Sequence, residues 1–173
     1  MGGAAAAGVG AVQERGLEQA VVDSRIHTEI NYKWIEYNKE MFAALDSSVY
    51  EGRVLITGVV KTEERRDMAV KLAWQVKGVK EVLNEIIVDP SGKTGTFARD
   101  IWITTQLKAE LLADKDIAAV NYSIITVRHV VYLLGVAQDK AELDRVINYA
   151  RNTEYVERVV NHVLLKNDPR RKQ

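Results

Sequence analysis

The sequence predicts an α+β fold built twice: two tandem α-β-β-α-β units, each a small three-stranded mixed sheet with two helices on one face. Three observations carry that reading. "GRVLITGVV" (Gly52 to Val60) and "HVVYLLGVA" (His129 to Ala137) match around Gly58 and Gly135, an offset of 77 positions. The same offset, without a gap, pairs Asp23 with Asp100, Ile26 with Ile103, Thr28 with Thr105, Val54 with Val131, Ala73 with Ala150, Val82 with Val159 and Asn84 with Asn161. A register held that long marks an internal repeat, and a repeat decides architecture. Finally, helical and β-type hydrophobic patterns alternate in the same order within each copy.

Taken in order, Val22, Ile26, Ile30 and Trp34 recur every fourth residue and predict a helix from about Val22 to Asn38. "SSVYEGRVLITGVV" is a β-branched run interrupted by Glu51-Gly52, a hairpin signal in which glycine supplies positive φ. Thr62 is placed to cap a second helix whose first turn holds Glu63 and Glu64, where the helix dipole favours acidic groups. Met68, Leu72 and Val76, with Ala69 and Ala73, form its inner side; Gly78 ends it, and "VKEVLNEIIV" is a third strand. The second copy predicts a helix from about Asp100 to Ala113, strands near Asn121 to Thr126 and Val130 to Val136, a helix from about Lys140 to Asn152 and a strand from Val156 to Leu165. The organisation expected is a flexible Ala/Gly-rich lead over residues 1–19, a first domain over 20–89, a linker over 90–98 at the turn-rich joint "DPSGKTGTF" (Asp89 to Phe97), a second domain over 99–166, and a basic tail over 167–173. Units this small have thin cores, so the two are expected to pack together.

Composition excludes several functions. Lys plus Arg equals Asp plus Glu, 24 of each, so no global field draws the chain onto nucleic acid. The absence of cysteine removes disulfides, thiolate metal sites and a Cys nucleophile. The opening "MGGAAAAGVGAVQERG" lacks the basic start and Leu-rich core of a secretory signal and is too weakly apolar to span a bilayer. His27, His129 and His162 stand in three different elements without zinc-site spacing, and "SGKTG" lacks the upstream glycine of a phosphate loop. Glu63-Glu64 and Glu29/Glu36 read as solvated helical faces. No enzyme, metal or cofactor is predicted.

The aromatic residues are more informative. Trp34 and Trp74 fall on or beside the apolar stripes and are expected in the core. Trp102 differs: Ile103, Leu107 and Leu111 already form its helix's core stripe, while its own neighbours on the helix surface are Thr105, Gln106 and Ala109. Its repeat partner is Arg25, so the fold requires no apolar group there. Two explanations stand open, both placing the cause outside its own unit. Trp102, with Ile101 and Phe97, would pack against the first unit, or it would anchor in a membrane interface, where an indole keeps its ring half-buried and its N–H wet.

With "EGRVLITG" followed by a helix and "VKGVKEVLNEI", the first unit resembles a BON domain, and "WITTQLKAELL" through "VVYLLG" to "YVERVVNHV" resembles a second. The tandem, its Ala/Gly-rich lead and the "WITT" opening are similar to the DolP-like dual-BON outer-membrane lipoproteins of Gram-negative bacteria. The resemblance implies a non-catalytic periplasmic protein, outer-membrane-associated, that binds anionic phospholipid surfaces and supports envelope integrity. On this reading Trp102 inserts, Ile101 supports it, Arg99 and Lys108 steer, and Gly52, Gly58, Gly78 and Gly135 are structural. The alternative is an assembly module that binds other envelope proteins, or a second copy of itself, through sheet edges and the Trp102 patch. The sequence leaves the oligomeric state unknown. Arg128-His129 stands where the family usually has a glycine at the latter place, and Tyr155 stands where Gly78 does, so these loops of the second unit are expected to use another backbone geometry.

Overall fold

The structure is a computed structural model that describes residues 13–93 and 95–172. The chain divides into two compact units, one of Arg15–Thr94 and one whose described residues run from Gly95 onward together with Gln13 and Glu14.

In the first unit the elements are α1 (Gly16–Tyr37), α2 (Lys39–Ala44), β1 (Leu45–Tyr50), β2 (Arg53–Val60), α3 (Glu63–Trp74) and β3 (Glu81–Val88). The sheet order is β1-β2-β3, with β1 antiparallel and β3 parallel to β2. The parallel pairing follows from chain economy: β3 is reached only after α3 has crossed back along the sheet. One core joins Ile26, Ile30 and Trp34 of α1 to Met41 of α2, Val54, Ile56 and Val60 of β2, and Ala69 and Ala73 of α3. Small residues on α3 let α1 approach closely enough for the Trp34 indole to donate to the Ala69 carbonyl at 3.1 Å, which removes the cost of burying a free N–H.

The second unit repeats this order with α4 (Phe97–Ala113), β4 (Tyr122–Val127), β5 (Val130–Ala137), α5 (Lys140–Asn152) and β6 (Arg158–Leu165). Its sheet is β4-β5-β6 with the same mixture of antiparallel and parallel pairs. Ile103, Leu107, Leu111, Val131, Leu133, Val146, Ala150 and Val163 make its core. The helix entries match as well, since Thr62 accepts from the Arg65 N–H at 3.2 Å and Asp139 from the Glu142 N–H at 2.8 Å.

Several expectations need correction. The first helix starts at Gly16 rather than near Val22. Glu18, Gln19 and Ala20 are good helix formers, and the Arg15 and Gln19 side chains reach Asp23 at 3.1 and 2.9 Å. Residues 1–12 of the expected lead lie outside the described residues. Helix α2 was not anticipated; Asn38 breaks the path and caps it by accepting from the Met41 N–H. Helix α3 stops at Trp74, four residues before Gly78. Trp74 itself is 51% exposed, because Ala69, Ala73 and Val76 fill the inner side and leave the last helical residue outward.

The largest correction concerns the loops of the second unit, whose backbone geometry is that of the first. Glu51 and Gly52 have φ of 53° and 76°; Arg128 and His129 have 49° and 63°. Gly78 has 98° and Tyr155 has 70°. The hairpin is held from outside itself: Asp23 accepts from the Glu51 and Gly52 N–H groups at 2.8 and 3.0 Å, and Asp100 accepts from those of Arg128 and His129, both at 2.9 Å. A buried carboxylate collecting two backbone donors fixes the left-handed pair whether or not glycine is present.

Candidate functional site

The site is built on α4. Asp100, Ile103, Leu107 and Leu111 are its buried residues, and at about 100° per residue they occupy one side of the helix. The outward half carries Phe97, Arg99, Ile101, Trp102, Lys108 and Leu112, all exposed. The same helical angle separates these into two shoulders. Phe97, Ile101, Lys108 and Leu112 line up along one, while Arg99 and Trp102, three residues apart, share the other. The residues singled out from the sequence are thus brought together in pairs: Arg99 with Trp102, and Ile101 with Lys108.

Trp102 is 42% exposed. What lies beside it corrects the expectation that its explanation rests entirely outside its own unit: the Tyr155 ring meets it edge to face, with centroids 5.6 Å apart and planes at 72°. That is the arrangement aromatic quadrupoles prefer. The Arg99 guanidinium carbon lies 4.2 Å from the centroid of the same Tyr155 ring, a cation over a π face. Tyr155 is delivered by the turn between α5 and β6, and hydrogen bonding to the neighbouring Glu154 carboxylate, then that carboxylate's charge, raises the phenol above its ordinary pKa.

These side chains border a cleft of about 600 Å³ lined by Thr96, Arg99, Trp102, His129, Glu154 and Tyr155, among others. His129 enters from the β4–β5 hairpin. Its Nδ1 is 3.3 Å from the Glu157 carboxylate, while its Nε2 is buried without a partner among the described residues. At the mouth of α4 the Thr96 hydroxyl donates to Asp100 at 2.9 Å and makes no cap bond. The first-turn N–H groups therefore have no side-chain acceptor from Thr96.

Sequence reasoning placed Trp102, Ile101, Arg99 and Lys108 on the exposed half of α4. It missed Tyr155, His129 and Glu154 as their companions, and Leu112 as part of the apolar shoulder. A signal was present: the two positions that depart from glycine, His129 and Tyr155, both face this cleft.

Other clusters have structural explanations. His27 bonds Ser47 and Asn31 at 2.9 and 3.0 Å, and among the described residues no group of three or more His, Asp or Glu is arranged to hold a metal. No described helix is long and apolar enough to cross a membrane.

The BON domain family matches residues 20–90 and 99–167. The chain belongs to the BON domain family. It is similar to an uncharacterized protein in the gshII 5′ region of Anaplasma centrale, 42% identical over 144 residues, covering 80% of this chain and 95% of that one. The outer membrane lipoprotein DolP of Haemophilus influenzae is 33% identical over 125 residues, 66% of this chain and 65% of its own. The 21 kDa hemolysin of Actinobacillus pleuropneumoniae is 29% identical over 152 residues, 84% and 78% of the two chains.

Proposed function

We propose that this chain is a non-enzymatic, periplasmic and outer-membrane-associated dual-BON protein that docks on anionic phospholipid through the outward half of α4. The observation that carries the reading is the exposure of Phe97, Ile101, Trp102 and Leu112 on one helix that also presents Arg99 and Lys108. Exposed apolar groups in such number signal a surface that is covered in use. Trp102 inserts at the headgroup boundary, and Ile101, Phe97 and Leu112 add apolar area. Arg99 and Lys108 each contribute roughly 1 kcal/mol near an anionic surface. The relative named as an outer membrane lipoprotein supports the envelope location.

Co-sedimentation with vesicles tests this. Wild type is expected to sediment with vesicles containing phosphatidylglycerol and to be released by salt, and Trp102→Ala is expected to bind about tenfold more weakly. Equal, salt-insensitive sedimentation of both proteins would remove the assignment.

A further inference from the structure

Glu14 belongs to the second unit, although α1, two residues further along the chain, belongs to the first. A socket at one end of the second sheet holds it, drawn from four places: Asn121 before β4, Gln138 after β5, Lys166 after β6 and Arg171 in the turn over Pro169–Lys172. Three parts of the residue are engaged. Its N–H donates to Asn121 Oδ1 at 2.9 Å, and its carbonyl accepts from Arg171 Nη2 at 3.4 Å. Its carboxylate accepts from Gln138 Nε2 at 2.9 Å and lies 3.3 Å from Lys166 Nζ and 3.8 Å from Arg171 Nη1, with the side chain left 17% exposed. Burial raises the carboxyl pKa, but the Gln138 and Lys166 hydrogen bonds and the Lys166 and Arg171 charges outweigh it and hold the group below its ordinary value.

The repeated fold does not require this contact. In the register of the repeat the socket positions of the first unit are Ala44, Lys61, Asp89 and Thr94, so an acid stands where Lys166 does and would repel a carboxylate. The acids at the same end of the second unit have partners of their own. Asp139 accepts from the Glu142 N–H, Glu142 from the Tyr122 hydroxyl and the Gln138 N–H, and Asp168 pairs with Arg170. Among the described residues, Lys166 and Arg171 are thus the charged groups that face Glu14. Two residues on, Gly16 has a φ of 70° with nothing within 4 Å of where a Cβ would stand, which makes it a ready pivot.

We propose that Glu14 is a releasable clasp: charged, it fastens the chain ahead of α1 to the second unit, and protonated, it lets that segment swing away. The clasp closes at the end of the second sheet away from the Arg128-His129 hairpin, about 26 Å off along the eight residues of β5. A carboxyl whose folded pKa is below its unfolded one favours closure above the unfolded value, and that favour is lost as pH falls through the folded one. Salt weakens the same attraction, because the site is partly open to solvent.

NMR on the full chain tests this without any ligand. Near neutral pH the backbone amide at position 14 is expected to be protected from hydrogen exchange, and Glu14→Gln to speed its exchange about tenfold while the Leu133 and Leu164 amides of β5 and β6 keep their protection. In the wild type the Glu14 carboxyl carbon and the Gln138 side-chain amide should move together as pH falls, with a midpoint below the ordinary glutamate value. Lys166→Met should raise that midpoint without altering the exchange of Leu133 and Leu164. Equal protection at position 14 in wild type and Glu14→Gln would overturn the proposal, as would a Gln138 side chain that ignores the titration of Glu14. So would opening that coincides with exchange of Leu133, which is global unfolding, or protection at position 14 that grows with protein concentration, which is exchange of the segment between two copies.

Discussion

The same corner of the fold is closed in the first unit and open in the second. At the first, Arg25 donates to the Lys77 carbonyl at 2.8 Å and pairs with Glu29 at 2.6 Å, so its charge is spent on its own unit. A Cβ at Gly78 would come within 3.2 Å of Ile26 and 3.3 Å of the Arg25 guanidinium, so the corner has little room for a side chain. At the second, Trp102 replaces Arg25 and Tyr155 replaces Gly78, and the two rings meet edge to face beside a cleft. The backbone does not change. A left-handed conformation costs a non-glycine residue about 1–2 kcal/mol, and an aromatic pair returns about 0.5–1.5 kcal/mol. The second unit thus carries backbone strain at the place where its surface is most distinctive, a combination that accompanies binding sites.

The comparison can be broken first where the units should behave alike. A Cβ at Gly58 would collide with the Ala44 carbonyl oxygen, and one at Gly135 with the Asn121 carbonyl oxygen. Gly58→Ala and Gly135→Ala are therefore each expected to cost about 4 kcal/mol or to prevent folding, as read by chemical denaturation. Two well-folded variants would show that the hairpin can move aside.

Next come the turn carboxylates. Asp100→Ala strands two backbone N–H groups and should lower stability by about 3 kcal/mol, with Asp23→Ala similar. A loss below 1 kcal/mol at Asp100 would mean that the hairpin holds Arg128 and His129 in place unaided.

The units should then part company at the second turn residue. His129→Gly relieves a left-handed non-glycine and is expected to stabilise by about 1 kcal/mol, whereas Gly52→Ala is expected to destabilise, because its Cβ would lie 2.7 Å from the Gly78 carbonyl oxygen. Matching signs in a thermal melt would erase the distinction.

The smallest effect is one of pH. Asp114 accepts from the Asp116 N–H, Arg145 and Tyr149, and these bonds hold its pKa below the usual carboxylate value. Its contribution is thus present above the unfolded pKa, near 3.9, and is lost as pH falls through the lower folded value. The aligned positions of the first unit are Tyr37, Met68 and Leu72, none of them a carboxylate or an arginine. Asp114→Asn should flatten the acid limb of the stability curve; an unchanged limb would assign acid sensitivity elsewhere.

Much of this was legible in the residues. The gapless repeat and its two hydrophobic periods located each sheet and core, since burial of Ile26, Ile30 and Trp34, or of Ile103, Leu107 and Leu111, is the force that makes the helices choose a face. The departure of Trp102 from that stripe was equally visible, because a helical angle follows from sequence spacing alone. Trp74 was misplaced because a residue at a helix end is oriented by what already fills the interior, which spacing does not report.

What the sequence by itself determined was therefore the architecture, the inward faces and the outward direction of Trp102. Only the tertiary structure decided what Trp102 stands beside. Tyr155, Glu154 and His129 lie far along the chain from α4, and no periodicity links them to it. They arrive because β6 runs parallel to β5, which returns the turn after α5 to the end of the sheet where the Arg128-His129 hairpin meets Asp100. The same closure lets a tyrosine occupy a conformation that local preference assigns to glycine: the strain is local, and the contacts that hold it come from elsewhere in the fold.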